Sequence, residues 1–252
     1  MLYQSNAYGG GKGIHALPPV SPDVRWYLSC KAVFDYVAAA CLLVVTSPVI
    51  LLAALLVKLT SRGPAFYTQT RLGQHGRPYT IYKIRTMTHD CEKNGAKWAT
   101  IADPRITRVG GLLRRTHLDE LPQLWNVLRG EMSLVGPRPE RPEFVPGLEQ
   151  AIPHYRHRLL VRPGVTGLAQ VQLAADTDVD SVRRKLAYDL YYIRQVGFWL
   201  DCRIILGTAF KMIGISFGLL RQLFLMPSAE VVENAYRSLP AVVPSAPAEF
   251  AV

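Results

Sequence analysis

Residues 114–126 read RRTHLDELPQLWN and set two carboxylates, Asp119 and Glu120, side by side behind two arginines. Acids and arginines packed this closely suit work on a phosphorylated substrate. Arginines grip phosphoryl oxygens in bidentate fashion, and a carboxylate can hold a divalent metal or attack phosphorus. Helix capping is the plainer alternative. Thr116 and Asp119 have the spacing of a capping box, but a helix begun at Thr116 would carry Pro122 beyond its first turn. Begun at Asp119, it carries Pro122 inside the first turn, where a missing N–H does little harm. Asp119 would then sit at a helix N-terminus, which favours its ionised form. Capping accounts for Asp119 and leaves Glu120 and the arginines without a role.

Further cations lie on both sides. Residues 63–87, GPAFYTQTRLGQHGRPYTIYKIRTM, show two runs rich in Tyr, Thr and Ile around GQHG and predict a β-hairpin (;). Period-two alternation puts Tyr79, Ile81, Lys83, Arg85 and Met87 on one face, with Lys83 and Arg85 about 7 Å apart. Such a pair could hold a diphosphate or could simply be a solvated strand face. The Pro-rich segment MSLVGPRPERPEF predicts a stiff loop carrying Arg138 and Arg141, and RPGVTG, residues 162–167, predicts a turn.

The elements that must position these groups begin with an apolar run. Residues 36–57, YVAAACLLVVTSPVILLAALLV, carry no charge over 22 residues. At about 1.5 Å per residue this is long enough to cross a bilayer. Ser47-Pro48 near its middle and cations at both ends (Arg25, Lys31, Lys58, Arg62) suit a helix–break–helix that enters and leaves on one face equally well. LDELPQLWNVLRGE predicts a helix ending near Gly130. Residues 181–220 are helical in pattern, with a membrane-surface or a core-packing role open to them. The net charge of +10 calls for an anionic partner: nucleic acid, a phosphorylated ligand or an acidic membrane (;). Four scattered cysteines form no metal or disulfide pattern and suit a reducing compartment (;).

The order of KAVFD, SP, GPAFYTQTRLG, YKIRTM, DPRITRVG, LDELPQLWNVLRGEMSLVGPRP and RPGVTGLAQV resembles the bacterial sugar transferase family, the monotopic polyprenol-phosphate phosphoglycosyl transferases, over roughly residues 30–210. The resemblance implies an α+β, mainly helical fold. Residues 1–29 would be flexible, and 30–60 a re-entrant membrane helix broken at Ser47 and Pro48. Residues 61–227 would form a cytoplasmic catalytic domain with a small β-hairpin and membrane-surface helices; the Ala-, Pro- and Val-rich composition of 228–252 separately predicts a disordered tail. It implies transfer of a sugar-1-phosphate from a UDP-sugar to undecaprenyl phosphate at the bacterial inner membrane, with Mg2+ as cofactor and UMP released. It implies no nucleic acid and leaves a homo-oligomer open. Asp119 would be the nucleophile, Glu120 the magnesium partner, and Arg114 and Arg138 phosphate-binding arginines; the spacing of Lys83 and Arg85 adds them as expected substrate-binding residues. Three positions depart from the family pattern: Ala32 where an arginine is common, His117 where a serine is common, and QLAAD after AQV. Against this stand a basic nucleic-acid binder, a non-catalytic scaffold, and a single-span glycosyltransferase that would release a nucleoside diphosphate.

Overall fold

A computed structural model gives the fold and describes residues 22–89, 91, 103–174, 178–212 and 214–240. Its first element, α1, is a helix of 39 residues from Pro22 to Thr60. It therefore starts ahead of the boundary predicted at residue 30, with proline in the first turn, where its missing N–H is harmless. The break predicted at Ser47-Pro48 does not interrupt it: the helix continues through both residues. Pro48 deprives the carbonyl of Val44 of its usual donor, and the Ser47 hydroxyl replaces that donor at 2.8 Å (;). Thr46 Oγ1 donates to the carbonyl of Leu42 in the same way, at 2.7 Å.

By length and composition α1 is able to cross a membrane, and only 22% of its apolar window is buried against the rest of the chain. That buried flank touches the domain near both ends. At the start Lys31 Nζ meets Asp201 at 2.8 Å, and Asp35 accepts a hydrogen bond from Ser133 Oγ at 2.6 Å. Towards the end Ile50, Ala53 and Val57 pack with Ile84 and Leu113. Ala39, between them, is fully buried. Val33, Val37, Val44, Val45, Leu51 and Leu59 stand exposed.

The hairpin forms where punctuation and alternation predict it. β1 (Phe66–Leu72) pairs antiparallel with β2 (Pro78–Ile84), Phe66 opposite Ile84 and Leu72 opposite Pro78. Tyr79 and Ile81 of β2 point into the main core. Then come α2 (Arg108–Thr116), a 3-10 turn (Leu118–Glu120) and α3 (Gln123–Leu128), which ends ahead of Gly130 at φ +71°. The loop and the turn predicted at 132–144 and 162–167 contain a second, parallel sheet, β3 (Ser133–Val135) with β4 (Gly164–Thr166). Their approach needs glycine: a Cβ on Gly164 would lie 2.1 Å from the Gly136 nitrogen. Between them lie α4 (Val145–Ala151) and a 3-10 turn, Tyr155–Leu160.

α5 (Leu168–Gln172), α6 (Val179–Gln195), α7 (Phe198–Met212) and α8 (Phe217–Leu223) complete the helical layer around the core. The tail predicted to be disordered from 228 instead begins with a helix, α9 (Ala229–Arg237). Its Val232 is buried, its Glu233 meets Arg183 at 3.1 Å, and Tyr236 donates to the carbonyl of Pro153. Residues 1–21 and 241–252, predicted to be flexible and disordered, lie outside the described residues.

Candidate active site

The acid pair is placed by its flanks. The Thr107 hydroxyl caps α2 by accepting from Gly110 N at 2.9 Å (;). A Cβ on Gly110 would fall 2.0 Å from the carbonyl of Thr86, so α2 lies directly on the chain leaving β2. One turn on, Arg114 Nε donates to Thr86 Oγ1 at 2.8 Å. His117 then reverses the chain in the left-handed region, φ 54°, which costs a β-carbon residue energy (;). Leu118 and Leu121 tuck against the cluster of Ile50, Ala53, Val57, Ile84 and Leu113. Asp119 and Glu120 are thereby turned away from that cluster and towards β2 and the Pro-rich loop.

α3 packs on the hairpin through Leu124 and Val127, and one side chain bonds it to the backbone of β2. Asn126, fully buried, accepts from Tyr82 N at 3.2 Å and donates to the carbonyl of Thr80 at 2.7 Å. Its amide thus stands in for a further strand on the free edge of β2. Lys83, next along that strand, reaches Glu120.

Glu120 Oε1 receives Lys83 Nζ at 2.7 Å and Arg138 Nη2 at 2.9 Å. Burial pushes the Glu120 carboxyl up, but Arg138 and Lys83 outweigh it and hold it well below the usual carboxylate range (;). Its neighbour behaves oppositely. Asp119 is 7% exposed, and Oδ1 has no hydrogen-bond partner among the described residues. Burial first, and then the charge on Glu120, push it up to about 6, against the pull of Lys83, Arg138 and Arg114. Burial lowers Lys83, with Glu120 opposing, while Glu120 raises Arg138.

The predicted residues therefore divide. Lys83, Asp119, Glu120 and Arg138 meet in one cluster, and Arg114 flanks it with its charge acting on Asp119. Arg85 does not join them. β2 ends at Ile84, and Arg85 turns to the end of α1, where it donates to the carbonyls of Ser61 and Arg62 and to Ser61 Oγ. In this structure it serves as a cation at the C-terminal end of α1 (;). Asp119 is not a cap either. Pro122 occupies the N-cap of α3, and Thr116 donates its hydroxyl back to Leu112 and Leu113. The helix terminus therefore does not hold Asp119 ionised, and burial raises it instead. Arg141 lies over the Phe144 ring at 5.3 Å.

Two groups escaped the sequence reading. Lys211, near the end of α7, is lowered by burial and then by Arg138, which places a further cation beside the cluster. His117 is lowered by burial, with Glu120 opposing. Neither belongs to a local pattern. His117 was legible only as a departure from serine, and Lys211 only as a charge on a helix.

A buried acid, its ionised neighbour and several cations thus gather at the end of the hairpin, an arrangement able to receive an anionic group. Residues 26–214 match the bacterial sugar transferase family, and the chain belongs to that family. It is 47% identical over 196 residues to a UDP-glucose:undecaprenyl-phosphate glucose-1-phosphate transferase of Caulobacter vibrioides, over 76% of this chain and 71% of that protein. It is 43% identical over 182 residues to a UDP-N-acetylgalactosamine-undecaprenyl-phosphate N-acetylgalactosaminephosphotransferase of Aeromonas hydrophila, over 72% of this chain and 43% of that protein, so it spans less than half of that relative. It is 44% identical over 187 residues to the exopolysaccharide production protein PSS of Rhizobium leguminosarum bv. phaseoli, over 72% of this chain and 94% of that protein.

Proposed function

We propose that the chain transfers a sugar-1-phosphate from a UDP-sugar to undecaprenyl phosphate, releasing UMP, as an early membrane step in building a bacterial polysaccharide or glycoconjugate. The observation that carries this is the unpaired, buried Oδ1 of Asp119 beside a Glu120 already neutralised by Lys83 and Arg138. An Asp119 oxygen attacks the phosphorus that bears the sugar. The bond from that phosphorus to the bridging oxygen breaks, and UMP leaves with the electron pair. The phosphate oxygen of the lipid then attacks the aspartyl phosphate at phosphorus, and the Asp119 carboxylate leaves. Arg138, Lys83 and Arg114 orient the diphosphate and offset its charge.

Magnesium fits this donor set in one form. Among the described residues no cluster of three or more His, Cys, Asp or Glu is placed to hold an ion. Mg2+ needs only one or two carboxylates when substrate phosphates supply further oxygens, and Glu120 with the orphaned Asp119 Oδ1 meets that need (;). When bound it would neutralise the diphosphate and stabilise departing UMP.

The anchor enters and leaves on the cytoplasmic face of the inner membrane in this proposal. Support comes from the contacts of α1, whose start and end both dock on the same domain. Exposed Phe198 and Trp199 on α7 and Leu219 and Leu223 on α8 supply further surface for the bilayer (;). The test is direct. Enzyme in detergent or nanodiscs, given Mg2+ and UDP-glucose or UDP-N-acetylgalactosamine without lipid, should release up to one UMP per chain and gain the mass of a sugar phosphate at Asp119. An adduct elsewhere, or release of UDP, would replace this function with another.

A further inference from the structure

We infer that Arg158 is a positioning residue that sets Arg138 on the acid pair from the far side of the Pro-rich loop; this rests on the transferase function proposed above. Arg158 lies in the 3-10 turn Tyr155–Leu160 and is 7% exposed. Its Nη2 donates both to Asp189 Oδ2 at 2.8 Å and to the backbone carbonyl of Arg138 at 2.9 Å. Its Nη1 donates to the Tyr155 hydroxyl at 2.7 Å and lies 3.7 Å from Glu140 Oε2. Asp189, on α6, is 2% exposed. One planar guanidinium therefore joins a turn, a helix and the loop that carries Arg138.

Stability alone is a poor reason for this arrangement. Desolvating two charges costs about as much as their attraction returns, and buried ion pairs are often replaceable by apolar residues without loss. Geometry is a better reason. Arg138 precedes Pro139, which restricts it to extended angles, and follows Pro137, whose own φ is fixed (;). The same loop is held from the other side, where Arg71 Nη1 donates to the carbonyl of Pro139 at 3.1 Å and Leu72 N to the carbonyl of Glu140 at 3.0 Å. The carbonyl of Arg138 is thus pinned to a buried ion pair, while its side chain reaches Glu120 Oε1 at 2.9 Å. A shift of about 1 Å in that carbonyl is enough to spoil the geometry at Glu120.

The test is a double-mutant cycle on the full chain. Lysine at 158 keeps the charge but cannot serve Asp189 and the carbonyl together. Arg158→Lys should slow the UMP burst from UDP-glucose by about 10-fold or more. Added to Arg138→Lys, it should cost less than about a further 3-fold, because both changes damage the same contact. Losses that multiply in full would overturn the proposal. Arg156→Lys, which disturbs only the pair of Arg156 with Glu149, is the control and should leave the burst unchanged. If Arg158→Lys does not fold, Asp189→Asn carries the same cycle with a smaller effect in the same direction. A second arm needs no turnover: in the crystal structure of Arg158→Lys, Arg138 Nη2 should lie beyond hydrogen-bond distance of Glu120 Oε1. An Arg138 still bonded to Glu120 Oε1 in that structure would also overturn the role. Failure of the parent enzyme to release UMP would strike the transferase function alone and leave this second arm to decide.

Discussion

Asp119 and Glu120 are consecutive, yet they are held in opposite electrostatic states. Two cations share Oε1 of Glu120, while Oδ1 of Asp119 is buried with no hydrogen-bond partner among the described residues. A carboxylate so placed costs stability, and it suits the nucleophile of the proposed function.

The first consequence is a pH dependence. In the proposed function Asp119 attacks as its carboxylate, and its carboxyl is pushed up to about 6. The UMP burst should therefore rise with pH through an acid limb near 6. The stability effect has the opposite sign. The folded chain holds this proton more tightly than an ordinary aspartate at 3.8, so the charge on Asp119 costs stability that is fully present above pH 6. Asp119→Asn should abolish the burst yet raise stability at pH 7.5 by about 1–2 kcal/mol, a gain that fades to nothing below pH 4. Denaturant melts at both pH values check this; an equal gain at both would mean that ionisation is not the cause.

Lys83 and Arg85, two residues apart, should fail differently. Lys83→Met leaves Glu120 with Arg138 alone and should cut the burst by about 10–100-fold with little change in melting temperature. Arg85→Met strips donors from the end of α1 and should lower the melting temperature by several degrees. Turnover per folded molecule should hold. If Arg85→Met abolished turnover in fully folded protein, it would belong to the substrate site after all.

Asn126→Leu is expected to cost about 2–4 kcal/mol in chemical denaturation, since Tyr82 N–H and the carbonyl of Thr80 would lose their partner in the interior (;). Asn126→Asp should be nearly as costly, because a carboxylate cannot donate to that carbonyl. A neutral result for either would show the edge of β2 to be solvated.

Ser47 and Pro48 compensate one another. Ser47→Ala alone should orphan the carbonyl of Val44, whereas Pro48→Leu restores its backbone donor (;). Pro48→Leu should shift the chain towards a full crossing, read by labelling a cysteine placed ahead of α1 from each side of the membrane. If that cysteine in the unaltered chain labels only from outside, α1 already spans.

Much of this was legible in local sequence. Gly and Pro around two β-rich runs marked the hairpin, and alternation put Lys83 on the face of Tyr79 and Ile81. The alternation failed at Arg85 because the strand ends one residue earlier, and no pattern of period two registers its own end. The acid pair was visible, but its geometry was not. A cap was a reasonable use for Asp119 until Pro122 proved to hold that position. β3 and β4 have three residues each, too few for periodicity, and their pairing depends on glycines at 136 and 164 meeting across the fold. α9 lay in an Ala- and Val-rich tail whose helical face shows only against α6.

The double docking of α1 bears on how the protein can be handled. Ala39 is fully enclosed, Val57 nearly so, and Lys31 ties to Asp201 across the fold. Cutting the chain after Thr60 would strip cover from Ile84 and Leu113 and leave Asp201 without its cation. Trimming the greasy segment should therefore cost the domain its fold, because that segment is one of its walls.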